Sequence, residues 1–588
     1  MAVGCSLAWS IHMQNELFSE ASSEVQGVQS RSLGIEIPQN KESPVARAMR
    51  RIRTIMLKKL APVLAYSGGK DSSILVALVL TTAREMKERG EIVMPLTIVH
   101  SNTGVENPEI TELARSEMVK MKAYAEKHGL KLTINVGKPT LSASWAVKVI
   151  GGRGIPSFPD GQASCSVDWK VAVNTRLLTA AYKQLRKTED IADVVVMTGV
   201  REDESIIRDM RIKKRGEVAE GLWENEDGQL RASPILDWTV DDVWLHIGYC
   251  NAGVEDSFSD FSDVMRVYAG AGGSSCVVVA DMRTANNKTA CGARFGCWAC
   301  VKTQNDRSMD TLIASDEQRY GHMKPLAALR NYISNTQYDW SKRQFVTRTI
   351  DAEGFITIGA DTYSPNMLAD LLAYTLTAQV ESGVSIIDYA TLVGIDARWS
   401  MYGLLPPFAC LKIYFDVMDG NLKRAPVVER HPKTPTPSIG KIYVGRQWEH
   451  IEGPNSLSGL RDTSREFHGE ACGLDLRVLS NGNMVIDDER DDGIEVDPEG
   501  AMDFVEFFGR EMVQQHCRMD HPDWAAGYMT YLGYGTLAIA KGRSAQADGI
   551  LRRTRWRQAN NLHGQRSVEE LRARCVSLNE EQLELLAA

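Results

Sequence analysis

Serine, two glycines, lysine, aspartate and serine follow one another at Ser67-Gly68-Gly69-Lys70-Asp71-Ser72. Adjacent glycines let backbone N–H groups approach a ligand with no Cβ in the way, and the hydroxyl and ammonium groups add donors. Phosphate is the anion this combination suits. A second group is Cys276, Cys291, Cys297 and Cys300, spaced Cys-x14-Cys-x5-Cys-x2-Cys. Four thiolates can close a tetrahedral zinc site or hold an iron–sulfur cube, and spacing leaves both open. Arg201 and Arg208 offer guanidinium forks for phosphate oxygens. Cys165 has Lys170 five residues on, and a thiol near an ammonium can have a lowered pKa; the plainer fate of a lone cysteine is burial as a small hydrophobe.

These residues need elements to position them. Residues 62–66 form a short apolar run of the kind that fills a buried strand, and 74–87 turn from apolar to amphipathic as a helix does. The Ser/Gly/Asp loop therefore sits where a strand gives way to a helix N-terminus, whose unpaired N–H groups and dipole favour an anion. The plainer alternative is a glycine-rich turn with a serine cap. Further strands are expected at 94–100, 131–136 and 192–198, with a helix at 109–128 and a strand and cap at 233–239. Such alternation gives an α/β fold with a mainly parallel sheet and helices on both faces. Ligands bind past the carboxyl ends of such strands, so the loop and the 100–106 segment should face one pocket, with the charged 199–208 stretch at another strand's carboxyl end.

Four segments are expected: an irregular arm over 1–45, the α/β domain over 46–270 opening with a basic helix at 46–60, a cysteine-cluster and helical region over 271–400, and a small α+β accessory domain with a helical tail over 401–588. In the last, 411–417, 441–444 and 474–486 read as strands, with a type I′ hairpin at Asn481-Gly482. Residues 501–516 read as an amphipathic helix whose stripe of Met502, Phe504, Val505, Phe507 and Phe508 suits a core. Arg552, Arg553, Arg555 and Arg557 with Trp556 among them could grip a phosphate backbone, although most charge runs are solvated faces.

The chain has 588 residues, 43% hydrophobic and 24% charged, enough for two or three domains. A net charge of −9 argues against a polyanion binder acting through its overall field. No apolar run approaches a membrane span, and the N-terminus lacks the basic and apolar regions of a signal peptide, so a cytoplasmic protein is expected. The eleven cysteines then read as metal ligands or reactive thiols before disulfides.

Ser-Gly-Gly-Lys-Asp-Ser is not a Walker loop; it resembles the PP-loop of the ATP pyrophosphatases, which split ATP between the α- and β-phosphates and pass AMP to an acceptor oxygen. With Asn102-Thr103-Gly104, Cys165…Lys170, Gly199-Val-Arg201…Ser205…Arg208 and Pro234-Ile-Leu-Asp237-Trp238-Thr239…Asp242-Val-Trp244, the order over 60–248 is similar to that of phosphoadenosine-phosphosulfate (PAPS) reductase-like proteins. Cys291-Gly-Ala-Arg294-Phe295-Gly296-Cys297-Trp298-Ala-Cys300 after such a domain resembles the DndC-type sulfurtransferases of bacterial DNA phosphorothioation, and the match runs on through Asn305–Met309, Leu326…Arg330 and Tyr363…Leu372 to about residue 398. Related single-strand phosphorothioation systems use a similar subunit, and the two groups are not separated.

The resemblance implies a 4Fe–4S cluster on Cys276, Cys291, Cys297 and Cys300. It implies ATP, with Mg2+, at Ser67, Gly68, Gly69, Asp71, Ser72, Asn102, Thr103, Gly104 and Gly199. Lys70, Asp71, Arg201 and Arg208 take catalytic roles and Cys165 that of a sulfur-relay thiol. The partners implied are a cysteine desulfurase as sulfur donor, other subunits of a phosphorothioation complex, and DNA, with no membrane. Rival readings are a PAPS or adenylylsulfate reductase, for which Glu470-Ala-Cys472-Gly-Leu474-Asp475 is a near miss of the Glu-Cys-Gly-Leu-His motif, a tRNA thiolation enzyme, and a non-catalytic DNA-binding assembly subunit.

Overall fold

The structure is a computed structural model that describes residues 31–32, 42–157, 167–187, 190–204, 206–225, 228–272, 295–303, 305–346, 349–350, 355–357, 359–437, 441–443, 477–478, 484–485, 494–539, 555, 558 and 563–572. The chain divides into two compact units, one formed by 1–139, 165–297 and 306–323, the other by 140–164, 298–305 and 324–588.

The first unit is built on a seven-stranded sheet: β1 (Arg31–Ser32), β2 (Leu60–Tyr66), β3 (Leu96–Ser101), β4 (Leu132–Gly137), β5 (Asp193–Met197), β6 (Gly221–Glu224) and β7 (Leu230–Ala232) in the order β1-β6-β7-β5-β2-β3-β4. From β7 to β4 the pairings are parallel, and β6 and β1 add antiparallel edge pairings. Arg31–Ser32, inside the stretch expected to be irregular, thus contributes a short edge strand. The chain leaves β2 toward β3 on one side and returns to β5 on the other. This reversal opens a crevice at the carboxyl ends of β2 and β5, where α/β sheets bind ligands. The fold is of the PP-loop, nucleotide α-hydrolase-like kind.

Helices α1 (Pro44–Leu57), α2 (Lys70–Glu88), α3 (Pro108–Lys127), α4 (Ala172–Leu185), α5 (Ile206–Arg215), α6 (Val240–Asn251), α7 (Ser262–Gly270) and α8 (Arg307–Ser315) accompany the sheet. α2 is buried almost all round: Ile74 to Leu80 are at most 1% exposed. A helix this enclosed fixes the loop at its N-terminus. Ser43 caps α1 by accepting from the Ala46 N–H, with Pro44 in the first turn. Its basic residues are consumed by carboxylates: Arg51 with Asp237 and Glu220, Arg50 with Glu42 and Glu220, Arg53 with Glu91. The strand expected at 233–239 ends instead at Ala232. The next residues turn, and Thr239 and Asp242 close a reciprocal cap on α6.

The second unit is largely helical, with α9 (Lys324–Asn335), α10 (Pro365–Ser382), α11 (Tyr389–Met401), α12 (Ala409–Met418), α13 (Gly509–Cys517) and α14 (Ala526–Gly533). The strand expected at 411–417 is helix α12. Leu411, Ile413, Phe415 and Val417 alternate as in a strand, but the buried Asp396 accepts from the Cys410 N–H at 2.9 Å, supplying a partner to a donor in the first helical turn. Tertiary context overrides the period.

Arg477–Val478 and Met484–Val485 do pair as a hairpin, inside a five-stranded sheet with Lys441–Tyr443, Phe355–Thr357 and Thr349–Ile350. Val478 faces Met484 in that pairing, and the turn expected at Asn481-Gly482 lies outside the described residues. The helix expected at 501–516 forms as Pro498–Asp503, a π-helical turn Phe504–Phe508 and α13. Phe504 and Val505 are buried but Phe507 is 73% exposed, so the stripe is only partly core.

Candidate nucleotide site

β2 ends at Tyr66 and α2 begins at Lys70, with Ser67, Gly68 and Gly69 between them. Gly68 has φ +76°, and a Cβ there would lie 2.9 Å from Ala114 Cβ on α3. Both conformation and space therefore demand glycine. The loop is tied by its own hydroxyls. Ser72 Oγ accepts from the Ser67 N–H at 3.3 Å, lies 3.1 Å from Ser67 Oγ and donates to Gly69 O at 2.9 Å. Gly69, the N-cap of α2, has no side chain to cap the first turn, and a helix start of this kind favours an anion through its dipole and first-turn N–H groups.

Asp71 organises the charge. Its Oδ1 accepts from Arg201 Nε at 2.7 Å and its Oδ2 from Lys70 Nζ at 2.9 Å. Arg201 is 2% exposed and also donates to Trp238 O at 3.4 Å. Asp203, half-exposed, is a further carboxylate 3.9 Å from Arg201 Nη1, so the ammonium and guanidinium are balanced in charge and the pull on a polyphosphate comes from their donors and the helix N-terminus beside them. Because both oxygens of Asp71 face cations, its geometry suits ordering Lys70 and Arg201 better than holding Mg2+ directly. Gly199, just past β5, meets the same turn: a Cβ there would lie 2.8 Å from Asp71 O and 3.0 Å from Ser72 N. The strand end can press against the loop only because the residue is glycine.

The Asn102–Gly104 segment follows β3, the strand beside β2. Asn102 Oδ1 accepts from the Gly104 N–H at 3.0 Å, Thr103 Oγ1 from the Val105 N–H at 3.4 Å, and Gly104 has φ +76°. These side chains shape their own turn.

Tyr268, on α7, is a residue that the motifs do not reveal. Its hydroxyl accepts from the Lys70 N–H at 3.3 Å, and burial pushes its pKa up to about 12, so it stays neutral. In sequence it belongs to an ordinary helical stripe with Val264 and Val267, so nothing local distinguishes it. Its ring also meets Phe295 edge-on at 5.3 Å, and two residues on, Cys297 pairs its backbone with Glu106. Burial raises the Glu106 carboxyl above the usual range despite Lys170 Nζ at 3.6 Å. Lys170 is thus engaged with a carboxylate as well as being a sequence neighbour of Cys165.

Cys297 and Cys300 are half-buried cysteines outside any disulfide, and Trp298 between them in sequence packs edge-on against Trp145 at 5.0 Å. Such thiols in aromatic surroundings fit soft-metal ligation. Cys165, Cys276 and Cys291 lie outside the described residues, as does the side chain of Arg208, whose backbone is on α5. Among the described residues no group of three or more His, Cys, Asp or Glu is arranged to hold a metal, and no helix is long and apolar enough to cross a membrane.

Residues 61–255 match the phosphoadenosine phosphosulfate reductase domain family. Sulfate adenylyltransferase subunit 2 of Mycolicibacterium vanbaalenii is 26% identical over 209 residues, covering 34% of this chain and 59% of that protein. The same subunit of Mycobacterium tuberculosis H37Rv also matches at 26% identity, with the same coverage. The chain therefore spans 59% of the length of these curated relatives. Among solved structures, the PAPS reductase of Candida auris is similar at 14% identity over 36% of this chain and 87% of that one, with a TM-score of 0.23. The U34-tRNA thiolase NcsA of Methanococcus maripaludis, solved with its 4Fe–4S cluster, is similar at 15% identity over 37% of this chain and 69% of that one, with a TM-score of 0.24.

Proposed function

We propose that the chain is an ATP pyrophosphatase and sulfurtransferase that activates a DNA backbone phosphate for replacement of oxygen by sulfur. The observation that carries the nucleotide half is the Lys70–Asp71–Arg201 arrangement at the start of α2. The choice of DNA as acceptor is supported by the resemblance of the Cys291–Cys300 stretch to DndC-type sulfurtransferases.

A phosphodiester oxygen leaves poorly. In the proposed sequence a non-bridging oxygen of the DNA phosphate attacks the α-phosphorus of ATP and pyrophosphate departs, so that the oxygen now leaves with AMP. Lys70, Arg201 and Arg208 offset charge on the triphosphate, and Ser67, Gly68, Gly69 and Ser72 seat it. Mg2+ bound with ATP would neutralise further phosphate charge. A persulfide, supplied by a cysteine desulfurase and relayed through Cys165, then forms the P–S bond as the P–O bond to AMP breaks. A thiol reductant cleaves the remaining S–S bond with two electrons, leaving the phosphorothioate.

Cys276, Cys291, Cys297 and Cys300 would hold a 4Fe–4S cluster, which when bound supplies one-electron chemistry or a site for sulfur; zinc is the alternative for the same thiolates. The test is incubation of the anaerobically purified protein with ATP, DNA and a persulfide donor. AMP, pyrophosphate and phosphorothioate dinucleotides in the digest are expected. A second reading, reduction of PAPS, is favoured by the family match over 61–255. Sulfite release from PAPS with no ATP-dependent pyrophosphate would install it in place of the first.

A further inference from the structure

The hydroxyl of Tyr268 is only half used by the protein. It accepts from the Lys70 N–H at 3.3 Å, and among the described residues nothing accepts its own proton. The residue is 7% exposed. A phenylalanine would fill the same space and spare the cost of burying an oxygen. The ring is wedged by edge-on contacts with Trp244 at 5.5 Å and Phe295 at 5.3 Å, so the hydroxyl is fixed where it stands. A phenol is acceptor and donor at once, and with a lone pair turned to Lys70 its proton points elsewhere.

The phosphate loop surrounds that oxygen. A Cβ on Gly69 would lie 3.6 Å from Tyr268 Oη and 3.4 Å from Ser67 Oγ, so the two hydroxyls flank the same glycine. Ser67 is exposed and Gly69 half-exposed, which places Oη beside the part of the loop that an anion reaches. Lys70 Nζ lies 5.6 Å from the centre of the same ring, so Tyr268 meets Lys70 at both its backbone and its ammonium. Burial raises the phenol pKa to about 12, and at neutral pH the proton is present. A hydroxyl already accepting from an N–H is polarised toward donation.

We propose that Tyr268 is a phosphate-binding residue of the nucleotide site: its hydroxyl takes the Lys70 N–H on one side and donates to an oxygen of the ATP triphosphate on the other. The first-turn N–H then acts on the phosphate through the phenol. This assignment rests on the reading that ATP occupies the crevice, and adds to it a contact made from α7.

The experiment is calorimetric titration of the full chain and of Tyr268→Phe with inorganic pyrophosphate and with ATP. A hydrogen bond to a charged oxygen is removed, so affinity for both should fall at least about tenfold. The circular dichroism spectrum and the nucleotide-free melting temperature should stay close to those of the unaltered protein. Were the hydroxyl there only to occupy the Lys70 N–H, removing it would release that donor to phosphate and pyrophosphate would bind more tightly. Equal or tighter binding by Tyr268→Phe therefore overturns the assignment and leaves the nucleotide reading standing. An unaltered chain that takes neither ATP nor pyrophosphate overturns both. Should Tyr268→Phe fail to fold, Gly69→Ala decides: its methyl would lie 3.6 Å from the hydroxyl and cover it, so weaker pyrophosphate binding is expected and undiminished binding overturns the assignment.

Discussion

Asp71 sits between Arg201 and Lys70 and so controls the orientation of both cations that face the crevice. Asp71→Asn keeps the shape and removes the charge that aims them. ATP-dependent pyrophosphate release should fall about 100-fold with an unchanged circular dichroism spectrum; a normal rate contradicts the site. In the second unit, Asp396 is fully buried, accepts from Tyr531 Oη at 2.8 Å, and has its pKa pushed up to about 7 by desolvation. Unfolded, it titrates near ~3.9. Between those values the folded chain keeps a proton that the unfolded chain has lost, so this group's contribution to stability falls as pH rises through the window and levels off above it. The drop in melting temperature between pH 5 and pH 8 should shrink in Asp396→Asn, measured against the unaltered protein. The string Ser67–Ser72 made the strand–loop–helix turn legible, because residue types and spacing are local facts. Tyr268 was illegible, because its role depends on a helix far along the chain packing against the Lys70 N–H.

Two elements meet where β5 runs out against the first turn of α2, and the contact tolerates no Cβ at Gly199. Gly199→Ala has to push backbone apart, at a cost of about 1–3 kcal/mol. Both thermal stability and ATP affinity should drop, by calorimetry and nucleotide titration, whereas a purely structural glycine would lower the first alone. On α1, Arg51 is nearly buried while Glu220 and Asp237 are partly exposed. Solvent screens that pair of contacts, so Arg51→Ala should cost about 2 kcal/mol, below the full penalty of a dry ion pair, as read from chemical denaturation. The sequence showed a basic helix but not its partners, since the carboxylates that neutralise it come from up to 186 residues away. Helix α12 shows the same limit from the other side: alternation at 411–417 satisfied a strand's period, and a buried carboxylate on another helix decided otherwise.

For the molecule as a whole, the prediction concerns the cysteines. Anaerobically purified protein should carry about four irons and four sulfides per chain, and both Cys297→Ser and Cys300→Ser should lose them together with the visible absorption. Stoichiometric zinc without sulfide would replace the cluster. The sequence by itself determined the α/β class and the position of the Ser67–Gly69 loop between β2 and α2, because both follow from short-range periodicity and from glycines whose need is local. Only the tertiary structure decided that Asp71 faces two cations, that Tyr268 reaches the loop, that α1 is neutralised, and that Arg555 is paired with Asp523. Those facts depend on which distant side chains share a space, and pairwise proximity across the chain is not written in any one stretch of it.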